Sequence, residues 1–584
     1  MGGAIQAIDA TTLRAVLAEL RPLVVPGRFE KAQQSGGRTV QLGLRSLQGR
    51  FWLELSWEAE APRLVAIPPP PRQGEGSTLA QQLQHGLRGL ALVDLGQCGW
   101  ERVVELAFAP RPGEPPQRWL VLELMGRHSN LFLLDGDRRV IAMGRQVRPD
   151  QSRLRPIGTG DPYRPPPPMG GDPPRRSESE ASWRRRLTLV PLPLGRALRE
   201  AYQGIGPALA AQLVAGLDPH DPTGAILRER PVTDLSPAQW EALWRRWQRW
   251  LAAVEEERFR LERGAGSDFR CWPSGGAPPP PAPGFPPADD PLAINRFLAG
   301  YYGERLGRRE RERRRQALRQ RLLAACAREQ RTIARQQAAL AAAEGCEDLQ
   351  HRADALLCRA DPGREGIEEA QKLYRQARRL RRSRAEITPR LAQHQGRLAW
   401  LESSLTYLEQ AESAEDLSAL EEEIERELPG TAGGAPPSRR TRRRGEEAGS
   451  PPPRPLELLT PGGVRVQVGR NHRQNEWISL RRARPGDLWF HAQECPGSHV
   501  VLKASERPVG EGDRTAAADL AAHFSRARGN RRVPVVMVPT DDLQRIRGAG
   551  PGTVRHRGGE ILWGEPQRAR ALLAAPSLPE AGPS

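Results

Sequence analysis

Cysteine is scarce in this sequence and never closely paired. The six cysteines, Cys98, Cys271, Cys326, Cys346, Cys358 and Cys495, form no C-x-x-C motif, so neither a zinc site nor a disulfide framework is expected and a reducing cytosol fits best. No apolar run approaches the roughly 18–20 residues that a membrane span needs. The first residues also lack the basic start and apolar core of a signal peptide. The expected setting is the cytoplasm, with no membrane partner. Nor is there a nucleophile triad, an H-E-x-x-H pair, a P-loop or a Rossmann glycine fingerprint. The chain therefore reads as a non-enzyme, with no catalytic residue, metal ligand or cofactor expected. Lysine is nearly missing too: Lys31, Lys372 and Lys503 are the only three among 88 lysines and arginines.

Those 88 cations face 70 acids, a formal net charge of +18, which points to a polyanionic partner such as nucleic acid or a ribosome surface. A GC-rich genome also favours arginine, so the placement of arginines says more than their number. At 584 residues, with 38% hydrophobic and 27% charged residues, the chain is expected to hold several domains separated by polar stretches.

Residues 1–175 read as an α+β domain. A helix is predicted over 9–20, with Asp9 and Thr11 as capping candidates and Leu13, Val16, Leu17 and Leu20 at helical spacing. Strands are predicted over 39–44, 51–55, 102–108, 119–124, 131–134 and 140–142. Residues 183–262 form a helical domain. Its Gly204-Ile205-Gly206-Pro207 turn is either an ordinary helix–helix turn or the N–H-exposing loop of a helix-hairpin-helix. After a Pro/Gly-rich linker at 263–290, residues 291–428 read as a coiled-coil hairpin. One helix of about 40 residues, roughly 60 Å, is expected over 304–343. In the return helix Leu391, Leu398, Leu401, Leu405 and Leu408, then Leu417, Leu420 and Ile424, make an a/d seam. The tip is expected between Ala343 and Glu386. A basic disordered linker at 429–455, with Arg439, Arg440, Arg442, Arg443 and Arg444, leads to an α+β module at 456–567 and a tail at 568–584. The fold class is thus multidomain α+β: an N-terminal α+β domain, a helix-hairpin-helix, a long antiparallel coiled-coil hairpin and a C-terminal α+β module.

The densest chemistry lies in Asp487-Leu488-Trp489-Phe490-His491 and Pro496-Gly497-Ser498-His499-Val500-Val501. These read as two short strands joined by a turn, with a histidine on either side. Spacing alone leaves open a buried cross-strand pair or a ligand or phosphate site. Trp477, Trp489 and Phe490 are either core or stacking faces for unpaired bases. Glu101-Arg102 and the segment 125–130 place charged side chains at strand ends, as a solvated surface pair or a site. Tyr374 precedes Arg375, Arg378, Arg379, Arg381, Arg382 and Arg384, which form a solvated face or an RNA-contacting tip.

The two motifs at 487–499, with Val468-Gly469-Arg470-Asn471 and Gln474-Asn475 before them, resemble the C-terminal RNA-binding module of the NFACT family. Residues 99–106 and 125–130, Ser152-Arg153, Pro162-Tyr163 and Pro165-Pro166 resemble its N-terminal domain, and the order of parts is similar over nearly the whole chain. The resemblance implies tRNA binding at Glu101, Arg102, Arg127 and His128. It implies rRNA binding at Tyr374, Arg375, Arg378, Arg379 and Arg382, and at Asp487, Trp489, His491, Pro496, Gly497, Ser498 and His499. By the same resemblance the partners would be the 50S ribosomal subunit, through rRNA and stalk-base proteins, a peptidyl-tRNA stalled on it, and tRNA carrying alanine. The implied role is ribosome quality control, in which the stalled chain receives a C-terminal alanine tail without mRNA and is then degraded, peptide transfer being left to the ribosome. Two positions depart from the family: Glu101 stands where it has Asp, and Glu369 where it has Asn. A glycosylase-like DNA-binding protein is the alternative suggested by the order of the first two parts, but the proline nucleophile expected after Met1 is Gly2 here. A surface adhesin would need the signal peptide, anchor and repeats that the sequence lacks.

Overall fold

The computed structural model describes residues 5–71, 77–168, 170–264, 267–273, 275, 286–287, 289–360, 363–428, 452–546 and 550–574. Half of the expected 263–290 linker, residues 429–451 with their arginine cluster, and the end of the tail lie outside the described residues. Two compact units are present, Met1–Arg308 and Arg309–Ser584.

In the first unit Asp9 caps α1 (Ala10–Val24), its carboxylate accepting the Thr12 N–H at 2.7 Å. Nine antiparallel strands form one sheet: β1 (Gly27–Gly36), β2 (Thr39–Ser46), β3 (Gly49–Ser56), β4 (Arg63–Ile67), then, after α2 (Thr78–Gly86), β5 (Ala91–Gln97), β6 (Val103–Ala109), β7 (Arg118–Glu123), β8 (Asn130–Leu134) and β9 (Val140–Met143). Their order is β4-β3-β2-β1-β5-β6-β7-β8-β9. Because side chains alternate along a strand, Leu120 and Leu122 join the α1 residues Leu13, Val16 and Leu20 in one core. Val121 points the other way, to Phe132, Val140 and Tyr163. Strands β1, β4 and β5 and helix α2 were not expected from the sequence. In β1 the interior is partly polar: buried Gln33 donates from Nε2 to Gln41 Oε1 at 2.9 Å, so hydrophobic alternation does not reveal that strand.

The helical part comprises α3 (Glu180–Leu187), α4 (Leu194–Ala201), α5 (Pro207–Val214), α6 (Ala225–Glu229) and α7 (Pro237–Glu255). Ser236 and Gln239 form a capping box at the start of α7, and Trp183, Trp240, Trp247, Trp250 and Trp272 fill the core. A two-residue ladder, β10 (Glu262–Arg263) with β11 (Phe269–Arg270), follows. Helix α8 (Ala293–Ala342) begins in this unit, where Ile294, Leu298 and Tyr302 are buried.

The second unit takes up the rest of α8. Helices α9 (Cys346–Leu357) and α10 (Gly363–Gln410) resolve the expected tip into a helical hairpin packed through Ala353, Ala370 and Leu373. Nearer the other end of α10, Leu401 and Leu408 meet Leu318 and Leu322 of α8 and Leu417, Leu420 and Ile424 of α11 (Ala414–Glu427). The C-terminal module contains β12 (Leu456–Leu459), β13 (Arg465–Val468), α12 (His472–Glu476), β14 (Leu488–Ala492), β15 (Val500–Leu502), α13 (Glu511–His523), β16 (Val533–Pro539), β17 (Leu543–Arg545), β18 (Val554–His556), β19 (Glu560–Gly564) and α14 (Ala569–Leu573). Its main sheet runs β12-β13-β15-β14-β16-β19. One face is covered by α13 through Phe490, Val500, Val535 and Leu520.

Replacing Leu420 with alanine removes a fully buried side chain from the α8–α10–α11 seam. Chemical denaturation of the full chain is expected to show the second unit losing about 2–5 kcal/mol. A change of about 0.5 kcal/mol, as for an exposed position, would contradict this packing of α11.

Candidate nucleic-acid interface

In the first unit the turn from β5 to β6 carries Glu101 and Arg102. Glu101 closes it with its N–H on the Cys98 carbonyl at 3.0 Å and accepts Gln97 Nε2 on its own carbonyl at 2.8 Å. The next residue brings Arg102 into a cavity of about 270 Å³ that it shares with Asp9, Arg199 and the loop Gly204-Ile205-Gly206-Pro207. Gly204 has φ +76°, and a Cβ there would lie 2.8 Å from the Trp100 ring, so glycine is needed for the loop to close on α5. The structure thus joins two segments that were read separately, Arg102 and the Gly-x-Gly turn, and adds Arg199. Two guanidiniums and the start of a helix around one space suit a phosphate oxygen. Arg127 and His128 are exposed in a short turn after β7, Arg127 Nε donating to His128 Nε2 at 3.0 Å. They follow the strand partnered by β6, beyond the Leu124 N–H that bonds the Arg102 carbonyl at 2.9 Å.

Along α10 the arginines at 375, 378, 379, 381, 382 and 384 are all exposed. Tyr374 is half-buried and donates its hydroxyl to Asp354 of α9, so its oxygen braces the hairpin while the arginines face outward.

The second unit brings the two motifs at 487–499 together. Strands β14 and β15 pair Leu488 with Leu502, Trp489 with Val501 and Phe490 with Val500. Between them Pro496–Ser498 turns beneath α10: Tyr407 Oη donates to the Gly497 carbonyl at 3.1 Å and accepts Asn475 Nδ2 at 2.7 Å, and Asn475 Oδ1 takes the His499 N–H at 3.1 Å. A Cβ on Gly497 would lie 3.0 Å from Ser525 Cβ, which explains the glycine. Beside this junction opens a cleft of about 1550 Å³ between α10 and the sheet. Trp489 and His491 stack at 5.5 Å with planes 8° apart, and His499 sits edge-on to both at 5.1 and 5.3 Å. On the α10 side Trp400 stacks on His472 at 5.0 Å.

Burial, the largest influence on each ring, lowers the proton affinity of all three histidines. His472 falls to about 3 and His491 to about 4, while His499 is held well below the usual range. They are neutral at physiological pH. Neighbouring Glu423 is pushed up to about 7 by burial, although it accepts the His472 and Arg473 N–H groups at 3.3 and 3.2 Å.

Several residues expected at an RNA surface lie inside instead. Asp487 has no exposed surface; it takes Lys503 Nζ at 3.0 Å, Ser505 Oγ at 2.6 Å and the Arg484 N–H at 2.9 Å. Burial works to raise its proton affinity, but these hydrogen bonds outweigh that and hold the carboxyl below its usual range. Asp487 therefore braces the start of β14, because Lys503 needs a buried counter-charge. Ser498, His499 and Trp489 are also buried, and Phe490 is core. His491, Pro496 and Gly497 line the cleft. The sequence reading missed Trp400, Tyr407, His472 and His556, which also line it. Of these, His472 directly follows the motif residue Asn471, the cap of α12, so its position in the sequence gives a signal that the other three lack. Among the described residues no group of three or more His, Cys, Asp or Glu is placed to hold a metal ion, and no helix is long and apolar enough to cross a membrane.

Asp487→Ala leaves the Lys503 ammonium buried without its carboxylate and is expected to cost about 3–5 kcal/mol, with partial recovery when Lys503→Met is added. A normal melting temperature together with lost RNA binding would make Asp487 a contact residue after all. The histidines also give a pH signature. Below about pH 6.5 the unfolded chain binds protons that the folded cluster refuses, so stability falls on acidification through about pH 4, where His491 titrates, to about pH 3, where His472 does. Glu423 acts in the opposite sense between about 4.5 and 7, but it is one group against three. Thermal unfolding of the full chain should show a lower midpoint at pH 5 than at pH 7.5, and His491→Asn should narrow the difference. A midpoint that is flat or higher at pH 5 would argue against neutral histidines.

Comparison with known proteins follows the same division of the chain. The family model for the NFACT N-terminal and middle domains matches residues 9–366 and 359–429, and that for the NFACT protein RNA binding domain matches 457–558. The Rqc2 homolog RqcH of Streptococcus suis is 25% identical over 591 residues, covering 95% of this chain and 97% of the relative. RqcH of Bacillus subtilis is 39% identical over 94 residues, 16% of each chain. Among solved structures, the C-terminal part of the fibronectin/fibrinogen-binding protein of Streptococcus suis aligns with 45% of this chain and 98% of its own, at 26% identity and a TM-score of 0.37. With family models matching well over half its length, in the order N-terminal, middle and RNA-binding domain, the chain belongs to the NFACT family.

Proposed function

We propose that the protein is a ribosome-associated quality control factor. It binds 50S subunits obstructed by peptidyl-tRNA, recruits tRNA carrying alanine, and directs the mRNA-independent alanine tailing that marks the stalled chain for degradation. The observation that carries this reading is the similarity to RqcH along 95% of the chain. The matched RNA-binding domain, the +18 charge and the exposed arginines of α10 are consistent with a ribosomal RNA partner. The protein's part is positioning. Arg102, with Arg199 and the Gly204–Pro207 loop, holds a tRNA phosphate, the arginines of α10 engage rRNA, and the peptide bond is made by the ribosome rather than by this chain. Glu101, in place of the family's Asp, supports one second reading: 50S and tRNA binding without tailing.

Arg102→Ala is expected to abolish tRNA co-purification while leaving co-sedimentation with 50S subunits intact, because the arginines of α10 are untouched. The 50S binding itself should weaken steeply with salt. Bound tRNA unchanged by Arg102→Ala, or equal recovery with 30S and 50S subunits, would refute the assignment. Glu101→Asp should keep or improve tRNA capture.

A further inference from the structure

The face of the C-terminal sheet opposite α13 is only partly closed: Trp489, Val536 and Val538 pack there with Ile478 and Val501 in a small core, and the face is uncovered beyond it. Strand alternation places Trp489 and His491 of β14, Val536 and Val538 of β16, and Ile561 and Trp563 of β19 on it. Cross-strand register aligns His491 with Val536 and Val536 with Ile561, and sets Trp563 opposite Pro534. The β17–β18 hairpin covers one end of this face, bringing His556 to 5.9 Å from Trp489. Its return passes through Gly559 at φ +123°, where a Cβ would lie 2.7 Å from Val538. Beyond the hairpin the face is open: Ile561 is 50% exposed and Trp563 60% exposed on the edge strand.

Two further features say what the face receives. Trp489 is only 3% exposed, yet its indole Nε1–H has no hydrogen-bond partner, and neither does that of Trp400 on the facing helix. A buried donor without a partner carries a free-energy cost, which a ligand acceptor in the cleft would relieve. The cleft is also poor in positive charge. Arg397 is the one arginine on its lining and is already paired with Glu329 at 3.3 Å, while Glu402, Glu427 and Glu494 line it as well. A phosphate would meet carboxylates there, whereas a nucleobase would meet ring faces and indole donors. At about 1550 Å³ the space exceeds the roughly 300–1,000 Å³ of ordinary small-molecule pockets and suits a chain of linked units.

We infer that this cleft seats unstacked bases of single-stranded RNA, with the sugar–phosphate backbone outside, and that Trp563 stacks a further base at its open end. Duplex RNA hides its bases and does not fit such a face. The inference deepens the RNA-binding reading above and rests on it only for the class of ligand.

The test uses the full chain and three fluorescein-labelled probes at one fixed salt concentration: a single-stranded RNA octamer, the same octamer with abasic sites, and a paired RNA duplex. Trp563→Ala, at an exposed position, is expected to weaken octamer binding about tenfold with duplex binding unchanged, and Trp563→Phe should restore most of the loss. Trp489→Phe keeps a six-membered ring and removes the donor; at this buried position it is expected to lower the melting temperature somewhat and, below that transition, to weaken the octamer several-fold with duplex binding unchanged. The abasic strand should bind wild type more weakly than the octamer binds Trp563→Ala, because it loses every stacked base rather than one. No octamer binding, an abasic strand that binds as tightly as the octamer, or a Trp563→Ala variant equal to wild type would each overturn the inference. Failed 50S co-sedimentation with base-dependent octamer binding retained would remove the ribosomal reading and leave this one standing.

Discussion

A phenol buried between a helix and a turn organises the second unit. Tyr407 gives its proton to the Gly497 carbonyl and takes one from Asn475, which in turn receives the His499 N–H. One side chain from α10 thereby sets both the turn between the motif strands and the direction in which β15 departs. Burial pushes the phenol up, so it remains a donor at any physiological pH. A buried hydrogen-bond network of this kind specifies one arrangement, and the stack of Trp489 on His491 depends on it because β14 and β15 hold each other in register.

Two recognition chemistries are present in one chain. The Arg102–Arg199 cavity and the arginines of α10 offer guanidinium forks suited to phosphate geometry. The cleft beside Tyr407 offers uncharged rings. Phosphate contacts give affinity and orientation without reading sequence, and base contacts add selectivity. Keeping the histidines neutral by burial preserves the difference, since three imidazolium charges would turn the cleft into another phosphate site.

Much of this was legible because burial leaves a periodic trace. Leu391, Leu401, Leu408, Leu417, Leu420 and Ile424 are buried as the seam requires, with Leu398 and Leu405 half-buried beside them, and the strand–turn–strand reading of 488–502 matches the observed ladder. Polar interiors leave no such trace. Strand β1 hides behind its Gln33–Gln41 pair, and Asp487 looked like a surface acid because its partner Lys503 lies 16 residues away. Trp400 and His472 are 72 positions apart in sequence but 5.0 Å apart in the fold, a contact that no local spacing encodes. The Glu101–Arg102 pair illustrates the middle ground: strand-end placement marked it for attention, but its neighbours across the cavity, Arg199 and Gly204–Pro207, come from helices about 100 residues later.

The scarcity of lysine has a practical side once the fold is known. Lys503 is enclosed and bound to Asp487, and Lys31 is half-buried in β1, which leaves Lys372 as the exposed lysine among the described residues. It stands on α10 three positions before Arg375. Amine-directed reagents, whether a dye, a biotin ester or a short cross-linker, would therefore label lysine side chains chiefly at the basic hairpin. A mass-spectrometric cross-link from Lys372 would report which ribosomal or other protein lies beside that arginine-rich surface.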